Sequence, residues 1–113
     1  MKIGEYEDSL QLIYDIVANQ IKVVILCETE NKKKQAYEYL ASLPNITRET
    51  INEELAELVE MGLVSRLIHV RKQPHYVEYA LTNEGVMLAG CIRKMRSVGN
   101  VILDKYLEKE KRR

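Results

Sequence analysis

Apolar residues recur at helical spacing from the start of the chain. Between about Ser9 and Glu28 they fall at Leu10, Ile13, Tyr14, Val17, Ile21, Val24 and Ile25, three and four apart as one helix face requires. The run Ile21 to Leu26 is β-branched enough to suit a strand too, and we read two short helices meeting near Ala18–Asn19. Thr29 to Lys34 (TENKKK) is a polar connection. Gln35 to Leu43 then carries Ala36, Tyr39, Leu40 and Leu43, a short amphipathic helix stopped by Pro44. Ile51, Leu55, Leu58 and Val59 mark the next helix, with Thr47 suited to its N-cap and Gly62 to its end. Two helices joined by the four residues Pro44 to Thr47 make a helix-turn-helix arrangement.

The pattern then changes period. Leu63 to Val70 is rich in aliphatic and β-branched residues, and Tyr76 to Leu81 alternates, with Val77, Tyr79 and Leu81 on one face. Between them Arg71-Lys72-Gln73-Pro74-His75 is polar, and its proline forbids a continuous strand. This predicts a β-hairpin with a basic tip. Thr82 can cap a last helix whose apolar positions Leu88, Ile92, Met95, Val98, Ile102 and Tyr106 continue for several turns. The expected fold is mainly α with a β-hairpin wing (α+β), in one domain over residues 1–113. Its parts are a helix-turn-helix at 35–62, a wing at 63–81 and a C-terminal helix at 82–110.

Composition narrows the class. At 113 residues there is room for one core, and 46% hydrophobic with 30% charged residues argues against disorder. No apolar run approaches the roughly 20 residues that span a bilayer, and MKIGEYEDSL does not read as a signal peptide. Cys27 and Cys91 stand outside any metal or redox spacing. The simplest expectation is a reduced, cytoplasmic protein with no membrane partner.

The net charge of zero counts against nucleic-acid binding, but its distribution is uneven. Glu49, Glu53, Glu54, Glu57 and Glu60 are the only charges between positions 49 and 60. Arg66, Arg71 and Lys72, with His69 and His75, occupy a stretch without acids, and the segment after Arg93 is again basic. Any DNA contact must therefore be local.

Pro74-His75-Tyr76-Val77-Glu78-Tyr79-Ala80-Leu81-Thr82-Asn83-Glu84-Gly85 resembles the P-x-x-V-x-Y-x-L-T-x-x-G pattern of the HxlR-type winged-helix regulators, relatives of the MarR group. Leu43 to Thr47 with Ile51, Leu55 and Leu58 resembles that family's turn and recognition helix. Glu60-Met61-Gly62-Leu63-Val64 resembles a lead-in to the wing that MarR and PadR proteins share. The chain departs from the family at Ile21, where a tryptophan is usual, at Lys32-Lys33, where Gly-Pro is common, and at Ala36, which replaces an aromatic. The redox cysteine of some members would fall near Glu7, so thiol sensing at that position is not expected.

The resemblance implies a homodimeric, sequence-specific regulator of transcription that binds double-stranded DNA, with an unidentified small-molecule effector left open. The exposed recognition-helix surface would comprise Thr47, Arg48, Glu49, Thr50, Asn52 and Glu53. Arg48 can pair with guanine or phosphate, Asn52 with adenine, Glu53 with cytosine, and Thr47 or Thr50 with phosphate. Arg71, Lys72 and His75 at the wing tip, with Lys34, would neutralise backbone charge. The bland alternative for each is a solvated polar face. A long last helix cannot bury its apolar stripe alone, so Ile92, Met95, Val98, Ile102 and Tyr106 are expected in a dimer interface with Leu10, Ile13 and Tyr14. Cys27 is read as a small core residue and Cys91 as a packing residue, with a place in the dimer seam or a response to oxidants as the alternatives for Cys91. No catalytic set, metal-ligand spacing or cofactor motif is visible, which argues against an enzyme. The competing hypothesis is a winged-helix protein–protein interaction module without DNA binding, favoured by the zero net charge and the acidic helix.

Overall fold

The computed structural model describes residues 2–71 and 73–112, and Lys72 of the expected wing tip lies outside the described residues. A 3₁₀ turn at Ile3–Glu5 leads to helix α1 (Ser9–Val17) and helix α2 (Gln20–Thr29), which meet at 87°. Each begins on a side-chain cap. Asp8 accepts from the Leu10 amide, and Asn19 accepts from the Lys22 amide, both at 3.0 Å. The break expected near Ala18–Asn19 is where the chain turns.

The short amphipathic helix expected from Gln35 is present as a 3₁₀ helix, Ala36–Ala41. Its ends explain the tighter winding. Lys34 is pinned to Tyr79 by a two-bond bridge (3.0 and 2.7 Å), and Pro44 follows three residues after Ala41. The Ser42 and Leu43 amides bond three residues back, to Tyr39 and Leu40, as a short helix under such constraint does. Tyr39 is wholly buried, its hydroxyl 2.5 Å from Thr29 Oγ1, which donates to the Ile25 carbonyl.

Helix α3 (Arg48–Glu60) starts at Thr47, whose hydroxyl accepts from the Thr50 amide at 3.1 Å. It stops at Gly62, which has φ of +76°, a left-handed conformation that costs other residues more. Strands β1 (Val64–His69) and β2 (Tyr76–Leu81) pair antiparallel, from Val64 opposite Leu81 to His69 opposite Tyr76. Thr82 joins three elements. Its hydroxyl donates to the Gly62 carbonyl at 2.6 Å and accepts from the Gly85 amide at 3.1 Å, capping helix α4 (Asn83–Lys111). Gly85 has to be glycine, because a Cβ there would sit 2.0 Å from the Leu63 carbonyl oxygen.

The core gathers Ile16, Ile25, Leu26, Tyr39, Ile51, Leu55, Leu58 and Leu88. Ile92 belongs to it as well, being only 5% exposed. This corrects its expected place in a dimer interface, since a residue covered by its own chain has no area to offer a partner. From Arg93 to Arg112 every residue but the half-buried Gly99 is exposed, so α4 runs out past the domain. Among the described residues no single helix is both long and apolar enough to cross a membrane. The result is a helix-turn-helix with a two-stranded wing and a long C-terminal helix.

Candidate nucleic-acid interface

Helix α3 has three differently occupied faces. Ile51, Leu55 and Leu58 are wholly buried. Glu54 and Glu57 turn toward α2, where both carboxylates bond the Lys22 ammonium. Lys22 is itself 1% exposed, and Asn19 Nδ2 donates to Glu54 at 3.2 Å. Burial by itself would lower the Lys22 pKa, but its bonds to Glu54 and Glu57 outweigh that and raise it. The Lys22 hydrogen bond in turn holds the Glu57 carboxyl below the usual carboxylate value, against the effect of burial. Two of the acids that seemed to argue against DNA are thus neutralised from beneath. Glu49, Glu53 and Glu60 remain exposed.

The third face of α3, Arg48, Asn52, Ala56 and Val59, forms one wall of an open groove of about 650 Å³. Arg66, Val77 and Tyr79 of the hairpin form the opposite wall, with His75 and Tyr76 at one end and Gln35 and Ala36 also lining it. Two arginines, an asparagine and a histidine therefore converge on one concave surface beside the N-terminus of α3, where the helix dipole is positive.

The other expected contacts are distributed less favourably. Thr47 is exposed, but its hydroxyl donates to Thr50 Oγ1 at 3.0 Å while capping α3, and Thr50 is half-buried. Arg71 is exposed at the wing tip, and exposed His75 lies 3.4 Å from the Gln73 side chain. Lys34 is half-buried with its ammonium 3.5 Å from Glu28, away from the wing tip. Its charge is already engaged. Glu53 is exposed on the outer side of α3 and does not line the groove.

Two residues were not selected from the sequence. Arg66 is placed in the groove by strand alternation, opposite Tyr79 in the ladder. Lys22 had a visible signal, a single charge inside the apolar run Ile21 to Leu26, which a soluble helix tolerates only with partners.

A second cleft, of about 280 Å³, opens between α1 and α4 and is walled by Leu12, Ile13, Ile16, Met87, Leu88 and Cys91, with Glu84 also lining it. Ile13 is half-buried there, whereas Leu10, Tyr14, Met95, Val98, Ile102 and Tyr106 are exposed. Cys27 packs against the core as expected, whereas Cys91 is exposed at the edge of this cleft. Among the described residues no group of three or more candidate ligands could hold a metal ion.

Comparison with known proteins adds the family. A model described as HxlR-like helix-turn-helix matches residues 16–108. The HTH-type transcriptional regulator YtcD of Bacillus subtilis (strain 168) is 30% identical over 92 residues, covering 81% of this chain and 72% of that protein. A MarR-family transcriptional regulator from Enterococcus faecalis V583 superposes with a TM-score of 0.80 at 24% identity, over 95% of this chain and 99% of its own. The redox regulator HypR in its reduced form superposes with a TM-score of 0.76 at 25% identity, over 89% of this chain and 99% of its own.

Proposed function

The chain belongs to the HxlR-like helix-turn-helix family, a family of transcriptional regulators and not of enzymes, and from that premise we propose that it is a homodimer that reads specific sequences in duplex DNA. The observation that carries this reading is the convergence of Arg48, Asn52, Arg66 and His75 on the groove between α3 and the wing.

In this reading the N-terminal half of α3 enters the major groove, with Arg48 toward a guanine edge or a phosphate and Asn52 toward an adenine. Arg66 and His75 meet the backbone strand that passes between helix and hairpin, and Arg71 with Lys72 reaches the next phosphates or the minor groove. Lys22 supports the arrangement indirectly. By tying Glu54 and Glu57 to α2 it removes two carboxylates from the side of α3 that approaches the phosphates. A dimer would set two α3 helices about 34 Å apart, one turn of DNA.

One observation favours a different partner. Glu49, Glu53 and Glu60 leave an acidic strip on the outer surface of α3, which suits a basic protein surface. Selection of bound duplexes from random sequence, followed by salt titration, separates the two readings. The DNA reading expects a recovered consensus and a log K that falls with log salt at about 0.9 per neutralised phosphate. No enrichment and no measurable duplex binding at low salt would leave the protein–protein reading.

A further inference from the structure

The two histidines of the hairpin stand in opposite circumstances. Side chains alternate between the faces of a strand, so His69, three residues on from Arg66, points away from the α3 groove and does not line it. Its ring stacks on Tyr76 with centroids 4.4 Å apart, and its Nε2 lies 2.9 Å from Glu78 Oε1. That nitrogen is out of line for a hydrogen bond, but a carboxylate already stands at ion-pair distance. A positive charge on His69 is answered inside the protein. His75, at the end of the groove, has no such partner among the described residues. It is exposed, and its ring meets the neutral Gln73 amide at 3.4 Å.

The charges around His75 are all of one sign. Arg48 faces the groove from α3 and Arg66 from β1, and Arg71 is exposed at the adjacent wing tip. Among the described residues no carboxylate lines the groove. Glu49, Glu53 and Glu60 are exposed elsewhere on α3, and Glu78 sits with His69. An imidazole changes charge between about pH 5 and 8, and this groove holds no anion to pair with it. A phosphate entering the groove supplies one. Resting on the DNA reading above, we propose that the groove takes up protons with its DNA, one at each His75, whose ring becomes a cation as it meets a phosphate oxygen. The proton comes from the buffer and joins the unprotonated ring nitrogen, and no other bond changes. A complex that holds more protons than its free components tightens as pH falls. The interface thereby responds to acidity in a way that its arginines, always charged, cannot. The mount of α3 stays constant over this range, because the Lys22 pKa is raised and the Glu57 pKa lowered from their ordinary values, both away from it.

The test titrates a labelled duplex, the one recovered by selection, with the full-length protein at fixed ionic strength. Between about pH 6 and 8, log K should fall by up to about one unit per pH unit for each His75 that takes a proton. The salt slope should be steeper at the acid end by about 0.9 per His75, since each adds one cation. Calorimetry in two buffers of different ionisation enthalpy counts the same protons. His75→Gln should flatten the pH profile and equalise the two salt slopes, at the weaker affinity of the alkaline end. His75→Arg should be flat as well, with affinity held near the acid limit. His69→Gln should keep the wild-type profile, because its ring lies on the other face. His75 is exposed, so replacing it leaves the fold intact. A flat wild-type profile, or a pH dependence that survives His75→Gln or vanishes with His69→Gln, overturns this inference and leaves the DNA reading standing. No duplex binding at any pH overturns both.

Discussion

Replacing Lys22 with methionine keeps the unbranched stem of the side chain and removes its ammonium group, and the structure sets the size of the effect. Lys22 lies 1% exposed between Glu54 and Glu57. Removing one partner from a fully buried ion pair costs about 3–5 kcal/mol. Here the Glu54 and Glu57 side chains are 18% and 36% exposed, so both can recruit water and the expected loss falls to about 1–3 kcal/mol. Urea unfolding at a fixed protein concentration measures it, since self-association would otherwise shift the midpoint. In a domain of this size the melting temperature should drop by about 4 °C for each kcal/mol. The combined variant Lys22→Met/Glu54→Gln/Glu57→Gln should recover most of the loss, because no carboxylate is then left without its cation. The pH dependence follows from the direction of each shift. The Glu57 pKa is lowered from 4.5, so its contribution is present above that value and lost as pH falls through the lower folded pKa. The Lys22 pKa is raised from 10.5, so its contribution is present below that value and lost as pH rises through the higher folded pKa. The gap between wild type and Lys22→Met should therefore narrow at both extremes and stay constant between. A loss under about 0.5 kcal/mol for Lys22→Met, or a combined variant no more stable than the single one, would refute the argument.

Arg48→Ala should cost about 1–3 kcal/mol of binding to the selected site and relax the preference at one base pair; unchanged affinity and consensus in a gel-shift series would remove Arg48 from the interface. Arg66→Ala with Arg71→Ala should weaken specific and random duplexes by similar factors and flatten the salt slope by about one unit per lost contact in each subunit. An unaltered slope would make these side chains a solvated edge. Gly85→Ala forces a methyl to within 2.0 Å of the Leu63 carbonyl oxygen, so α4 must shift from the wing, and at an overpacking cost of about 1–3 kcal/mol calorimetry should show a melting point lower by about 4–12 °C; a shift of a degree or two would mean the contact gives way easily. Ile102→Asp should leave the protomer folded by circular dichroism and shift sedimentation from dimer to monomer, because it sets an unpaired charge in the expected interface. A dimer of undiminished affinity would place the interface elsewhere.

What the sequence disclosed was local, and what it hid was a choice between neighbours. The spacing of Thr47, Ile51 and Leu55, the alternation from Tyr76 to Leu81, and Thr82 ahead of the helical spacing from Leu88 each depend on residues close in sequence, so these caps, the hairpin and α4 could be placed from pattern alone. The 3₁₀ winding of Ala36–Ala41 could not, because it depends on a bridge from Lys34 to Tyr79, far along the chain. Ile92 shows a second limit. Helical spacing put it in one apolar set with Met95 and Val98, yet α4 carries two stripes side by side. Gly85, Leu88, Ala89 and Ile92 face the protomer core, while Met87, Cys91, Met95 and Val98 run along the adjacent exposed face. Periodicity identifies residues that share a side of a helix but does not say which side its own domain covers. The candidate DNA surface met the same limit in its charges. Five glutamates on α3 counted equally in the sequence, and only the packing of α2 distinguished Glu54 and Glu57, held by a buried lysine, from Glu49, Glu53 and Glu60 in solvent. The field that a partner meets depends on which charges are already paired inside the protein, so a net charge of zero says little about either face of this helix.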